Sequence, residues 1–453
     1  MLFTTKFLSE VFKEYKGAVK DGIEIEEVTT DSRKQSHKSL FIPLVGDSFD
    51  GHDFLKGAFD NGAVAALWEK GRKLPDFLPA GFPIFYVDDT LDGLQRLARE
   101  YRKQVNPTVI GITGSNGKTT TKDLIGTVTA SYYRTHRTKG NLNNHIGVPL
   151  TILSMAQETE VLVLEMGMSG FGEIELLSQI AEPDYAVITN IGESHIEYLG
   201  SREGIAQAKS EITAGLKPEG KLFIDGDEPL LAPLKERKTV IGCGFHQDNE
   251  ITAADIRMLS DKTTFLYNGH TAYELNMLGE HNVKNALFAI SIAEHLAIPV
   301  DKIKTSLSNL ELTGMRFEFV RGRNQSTIIN DAYNASPTSM KASIHVVRQL
   351  TGYKRKILVL GDIFELGKQA PDLHRDVADS INEEIDVLFT VGSNASEIST
   401  AKQNEVPVVR HFASLDELTT ALIPYLEKGT LVLLKASRGM KLEAMLKDIA
   451  IAE

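Results

Sequence analysis

The sequence predicts an α/β protein of three domains. A small N-terminal α/β domain spans 1–88, a central P-loop ATPase-like parallel-sheet domain 89–313, and a C-terminal Rossmann-like domain 314–453. Three observations predict this. At 453 residues the chain exceeds what one core organises, so two or three cored domains are expected. Apolar runs alternate with amphipathic stretches, the pattern of a sheet covered by helices on both faces. One glycine-rich loop, placed between a strand-like run and a helix-like segment, has the form of a phosphate cradle.

In the first block, strand-like pieces at 40–44, 63–67 and 85–87 alternate with helix-like ones, and Pro75, Pro79 and Pro83 punctuate its end. The second block opens on a helix-like lead-in, 91–105. It then alternates a helix signal at 122–130, strands at 161–165, 185–190 and 221–224, and a helix at 205–216; a long helix at 282–296 closes it. The third block repeats the alternation, with strands at 327–329, 356–360, 387–391 and 431–434, and reads as a second doubly wound sheet.

Composition narrows the function classes. The apolar fraction of 42% and charged fraction of 24% are those of a soluble globular protein. A net charge of −12 argues against a general nucleic-acid binder. The single cysteine, Cys243, excludes an intramolecular disulfide and a cysteine-rich metal site and suits a reducing compartment. No apolar run approaches a membrane span, and the N-terminus carries charges where a signal peptide needs its apolar core. A cytoplasmic protein without membrane insertion is expected.

The loop itself is Gly111 to Thr121, GITGSNGKTTT. Its glycines let backbone N–H groups approach an anion, and the helix N-terminus adds partial positive charge. Lys118 would supply a mobile cation for the β- and γ-phosphates, and Thr119 a hydroxyl for Mg²⁺. The spacing departs from the general pattern: five residues separate Gly111 from Gly117, and Ile112 takes the place of the first glycine. The blander reading is a simple turn between strand and helix.

Further polar residues fall where an open α/β sheet faces its ligand. The loop 140–149, GNLNNHIGVP, is dense in amides. Glu165 ends an apolar strand, His195 follows the strand at 185–190, and Lys209 lies on a helix-like segment. Taken singly, Glu165 could be a cap or loop ion pair, His195 a turn residue, and Lys209 a solvated surface lysine. Asn282, in HNVKN, could pair with a purine edge or cap a helix.

Together these motifs make the chain resemble the Mur ligases, ATP-dependent enzymes that build the peptide stem of the peptidoglycan precursor. TGSNGKTT at 113–120 matches that superfamily's own phosphate loop and accounts for the unusual spacing. DAYNASP at 331–337, LGDIFELG at 360–367 and KASRGMKLE at 435–443 extend the match. With the loop at 141–149 they point to members that add D-alanyl-D-alanine to UDP-N-acetylmuramoyl-tripeptide.

The resemblance implies roles residue by residue. ATP would be held by Thr113, Gly114, Ser115, Asn116, Gly117, Lys118, Thr119 and Thr120. Asn282 would serve the adenine, and Arg316 and Asp331 would reach the phosphates and ribose as the domains close. Thr119 and Glu165 would hold one Mg²⁺ and His195 a second, with Lys209 as a carbamate ligand. Lys118, His195 and Lys209 would carry the catalysis. The UDP-sugar would meet Ser32, Arg33, Asp50, Gly51 and His52, with Asn141, Asn143 and Asn144 near the muramoyl part or diphosphate. The incoming dipeptide would meet Phe364, Glu365, Ser437 and Arg438, and a monomer is expected. Two alternatives stay open: another amino-acid ligase of the superfamily, and a nucleotide-binding relative without ligation. The family pattern departs at Ala436, where glycine is common, and at Asn330 and Ala332.

Overall fold

The computed structural model describes residues 1–310 and 314–451; the expected boundary at 313–314 borders residues outside that set. Three sheets carry the chain. The N-terminal sheet has five strands in the order 15–16, 84–87, 63–69, 39–41, 27–29, and a two-stranded pair, Phe3–Thr4 with Glu24–Ile25, lies apart from it. Only the edge strand at 15–16 runs antiparallel in the five-stranded sheet.

The central sheet has nine strands. From one edge they run 271–275, 263–267, 251–258, 240–244, 221–225, 185–188, 108–113, 161–165, 135–137. Six strand pairings from 251–258 to 135–137 are parallel, but the last two strands fold back as antiparallel neighbours. The expected parallel sheet is present, and an antiparallel edge extends it. The sequence TTFLYNGHTAYEL at 263–275 carries a hairpin, with Asn268 and Gly269 at positive φ in its turn, a signal that Asn-Gly announces on its own.

Thr108–Thr113 lies between 161–165 and 185–188; the chain leaves it on one side for 135–137 and 161–165 and then crosses to the other for 185–188, which makes its carboxyl end the switch point of the sheet. Val109 packs on one face, and Ile110 with Ile112 on the other, all fully buried. At roughly 1.5–3 kcal/mol per buried aliphatic side chain, this strand anchors the loop that leaves it. The following helix runs Lys118–Ala130, four residues earlier than its apolar pattern implies, so Lys118 is its first residue.

The C-terminal sheet orders its six strands 318–321, 327–330, 430–435, 355–361, 387–391, 408–412, antiparallel only at the 318–321 edge. The helix Glu280–His295 crosses the central domain almost wholly buried. A further helix, Val300–Ser308, follows it where the sequence pattern had closed the block. Among the described residues no helix is long and apolar enough to cross a membrane.

Candidate active site

The phosphate loop is held by its own backbone and by the next strand's end. Gly114 has φ of +148°, and a Cβ there would stand 1.8 Å from Thr189 Oγ1. Gly117 has φ of +78°, and a Cβ would meet Asn285 Oδ1 at 2.7 Å. Only glycine fits either place. Asn190 pins the loop from the other side, its Oδ1 accepting the Asn116 N–H at 3.0 Å and its Nδ2 donating to Asn116 O at 3.1 Å.

A cleft of about 490 Å³ opens over this loop. Ser115 to Thr120 form its floor, Asn143, Asn144 and Glu165 one wall, and His281 with Asn282 another. Arg316, Asp331, Tyr333 and Lys435 reach it from the C-terminal domain. Lys118 donates to Gly114 O at 2.7 Å. Burial, reinforced by Arg316 and opposed by Glu165, holds its pKa below the ordinary lysine value. Thr119 Oγ1 donates to Glu165 Oε2 at 2.8 Å, and Arg316 Nη2 donates to the same hydroxyl at 2.9 Å. That last bond spans 197 positions of sequence and joins two domains.

The domains meet at other points as well. Ser336 donates to Asn116 Oδ1 at 2.9 Å, and Glu193 accepts both the N–H and the hydroxyl of Thr338. Among the described residues, several donors in the cleft have no partner: Ser115 Oγ, Asn116 Nδ2 and Arg316 Nε are buried without one. Buried donors left unpaired are costly, and three of them around one phosphate-shaped loop suit an anion with many acceptor oxygens.

Glu165 is buried, and Asn143 Nδ2 donates to its Oε1 at 2.9 Å. Asn143 thus orients the carboxylate, a role its sequence position did not suggest. Asn144 Oδ1 accepts the Gly147 N–H at 2.8 Å and so caps the helix that begins there, while Asn141 is exposed. Asn282 is not the N-cap, which is Gly279; its Nδ2 donates to Leu278 O at 2.8 Å and its Oδ1 accepts from Asn285. The capping alternative is thereby removed.

Lys209 is 1% exposed, and its side chain makes no hydrogen bond or ion pair among the described residues. It does not line the cleft. Burial first, and then the neighbouring Lys118, push its pKa well below the ordinary value. Burial and a like charge both disfavour the ammonium form of such an amine. Hard oxygen donors such as Thr119 and Glu165 suit Mg²⁺, although no group of three or more His, Cys, Asp and Glu side chains forms a cation cage among the described residues.

His195 sits at φ of +67° and Glu365 at +63°, both in the left-handed region that favours glycine. His195 Nδ1 lies 2.6 Å from Glu365 Oε2, close but off the line of a good hydrogen bond. This contact between two strained residues lies beside a second hollow of about 230 Å³, lined by Phe364, Glu365, Ser437 and Arg438. The two hollows share Ser194, His195, Asn334 and Ala335. Ser437 Oγ accepts the Phe364 N–H at 2.8 Å and so fixes that loop to the adjacent strand end.

The N-terminal residues are arranged differently. Arg33 is exposed and paired with Asp31 through two bonds of 2.9 Å, which hold the Asp31 carboxyl down at about 2. Ser32 is half-buried in the same turn. His52 turns inward: it is buried, sits edge-on to Trp68 at 4.7 Å, and contacts Asp50 Oδ1 at 2.7 Å. Asp50 also binds Arg72, and Gly51 is buried, where a Cβ would strike Leu44. Phe49, not His52, is the exposed side chain of this loop.

Three family models match the chain. "Mur ligase family, catalytic domain" covers 24–102, "Mur ligase middle domain" 112–293, and "Mur ligase, glutamate ligase domain" 315–438. The UDP-N-acetylmuramoyl-tripeptide--D-alanyl-D-alanine ligase of Bacillus subtilis (strain 168) is 47% identical over 94% of this chain and 93% of its own length. A crystal structure of MurF from Acinetobacter baumannii superposes with a TM-score of 0.86 at 30% identity, covering 98% of each chain. MurF ligase from Thermotoga maritima in complex with ADP gives 0.82 at 28% identity, over 93% of this chain and 96% of that one. With its phosphate loop, its domain-crossing arginine and these likenesses along nearly its full length, the chain belongs to the Mur ligase family.

Proposed function

We propose that the chain is the ligase that joins D-alanyl-D-alanine to UDP-N-acetylmuramoyl-tripeptide at the expense of ATP, a step of peptidoglycan precursor synthesis carried out in the cytoplasm by a monomer. The observation that carries this reading is the bond from Arg316 to Thr119, which sets a cation of the third domain over the phosphate loop of the second. The relatives of that name support the choice of substrates.

The chemistry begins with two anions that repel. The terminal carboxylate of the stem tripeptide attacks the γ-phosphorus, ADP leaves, and an acyl phosphate forms. The amine of the dipeptide then attacks the acyl carbon, loses a proton, and expels phosphate. Positioning and charge do most of the work in such transfers. Lys118 and Arg316 supply positive charge to the transferring group from two different domains, and Asn282 and Asp331 hold adenine and ribose. Thr119 and Glu165, with His195 and a carbamate on Lys209, would hold Mg²⁺, which adds charge where the two anions meet. Closure of the third domain keeps water from the acyl phosphate.

On this reading the domains divide as 1–88 for the UDP-sugar, 89–313 for ATP and 314–453 for the dipeptide. Ser32, Arg33 and the loop 49–52 frame the UDP end, with Asn141, Asn143 and Asn144 beyond it. Phe364, Glu365, Ser437 and Arg438 receive the dipeptide in the smaller hollow, where Arg438 offers a cation to its carboxylate.

The test is phosphate release from ATP and Mg²⁺ with the UDP-tripeptide and D-alanyl-D-alanine added singly and together, the pentapeptide being followed by mass spectrometry. Release that requires both substrates and yields that product is expected. Neither release nor product, from folded protein that still binds ATP, would send the assignment to a ligase with a different acceptor or to a non-catalytic relative.

A further inference from the structure

Lys435 is 3% exposed and ends the strand Thr430–Lys435, the neighbour of the strand that leads into Asp331. Its Nζ donates to Asp331 Oδ2 at 2.6 Å, and Ser343 Oγ donates to the same oxygen at 2.6 Å. The other oxygen, Oδ1, accepts the Phe317 N–H at 3.2 Å. A carboxylate has about four acceptor positions, and three of Asp331's are engaged within its own domain.

The bond to Phe317 matters because of what lies beside it. Met315 has φ of +60° and Phe317 of +54°, so Arg316 is presented by a turn strained on both sides. Strain of this sort persists only where neighbouring bonds impose it. Tyr333, two residues after Asp331, completes the support: its N–H donates to Met315 O at 3.2 Å and its ring lies 4.2 Å under the Arg316 guanidinium. An unpaired carboxylate here would also repel a polyphosphate, and the Lys435 ammonium cancels that charge.

We infer that Lys435 and Ser343 are positioning residues for Arg316. They fix Asp331 so that its free oxygen clamps the strained turn, and the turn holds the guanidinium over the phosphate loop. The inference rests on the reading that Arg316 meets the phosphates, and it adds a role for Asp331 besides the ribose.

The test uses Lys435→Met, Lys435→Arg and Ser343→Ala in the full chain. Amide hydrogen exchange comes first, because it needs no turnover. Lys435→Met should speed exchange in peptides covering 314–319 by about tenfold or more while 355–361 and 387–391 stay protected. In ligation, kcat should fall about 10–100-fold with the ATP KM within about threefold, the pattern of a lost transition-state contact. Lys435→Met combined with Arg316→Ala should be no worse than Arg316→Ala alone. Lys435→Arg should recover part of the loss, and Ser343→Ala should show a smaller shift in the same direction.

Additive losses in the double variant, unchanged exchange at 314–319, or a rise in ATP KM with kcat intact would each overturn the relay. The last would make Lys435 a direct nucleotide contact. Should Lys435→Met fail to fold, Ser343→Ala decides by the same measurements. A wild-type protein without ligation would sink the functional reading, and the exchange data would still judge the relay.

Discussion

The two ends of the substrate path are built in opposite ways. Around the phosphate loop, side chains from distant segments are buried (Thr119, Glu165) or half-buried (Asn143, Arg316) and already bonded to one another: Thr119 to Glu165, Glu165 to Asn143, Arg316 to Thr119. At the N-terminal end, Arg33 is exposed and its only side-chain partner among the described residues is Asp31, two residues away. Preorganised dipoles act at full strength in a low-dielectric site, whereas solvent screens an exposed ion pair and leaves it worth little. The nucleotide end is therefore shaped for chemistry. The other end is a handle for affinity.

Mutations can break or sharpen this contrast. The largest effect is expected from Lys209→Ala, which should reduce ligation by about 10³-fold or more while the fold is kept, since it removes a group proposed to complete the cation site. Short-chain carboxylic acids should restore part of the rate, and carbon-13 NMR with labelled bicarbonate should show a carbamate in the parent protein only. Full activity in that variant would remove Lys209 from the site. Next comes Glu165→Gln, expected to lower kcat by about 10²–10³-fold, the range for one lost electrostatic group. Manganese binding followed by electron paramagnetic resonance should weaken in parallel, and unaltered binding would detach Glu165 from the metal.

Arg33→Ala tests the other end. The KM for the UDP-linked substrate should rise about tenfold, the worth of one charge-assisted hydrogen bond, with kcat preserved. A matching loss of kcat would erase the contrast drawn above. The smallest effect concerns stability at Asp50. Burial opposes its ionisation, but bonds from His52 and Arg72 outweigh this and bring its pKa from 3.8 to about 2. A depressed carboxyl stabilises the fold fully above its unfolded value, and the contribution fades as pH falls from 3.8 through 2. Asp50→Asn should thus lower the melting temperature at pH 7, with the gap closing toward pH 2 in calorimetric scans. A gap independent of pH would mean that shape, not charge, matters there.

What the sequence disclosed follows the same division. The loop from Thr113 to Thr120 was legible because glycine positions, a lysine and a threonine in fixed order have one common use, and the strand before it is plainly apolar. The alternating blocks foretold three sheets. The hairpin at 263–275 escaped because a search for parallel, doubly covered strands passes over an Asn-Gly turn at a sheet edge. Asn143 was placed near the muramoyl part or the diphosphate because its loop is dense in amides, and its bond to Glu165 depends on where that loop meets a strand end in space. His52 looked like a loop residue by its glycine and aspartate neighbours, while its burial against Trp68 depends on a strand that follows 16 positions later. Lys435 was visible only as the first letter of a motif. Contacts made by chain segments a hundred residues apart leave no local pattern to read.

The bond between Arg316 and Thr119 has a consequence for the making of the protein. A ribosome releases the phosphate loop long before it adds residue 316, and for that interval the growing chain owns a nucleotide cradle without its guanidinium. The bond across the two domains is thus the last part of this site to be made, and every chain that stops short of residue 316 lacks it.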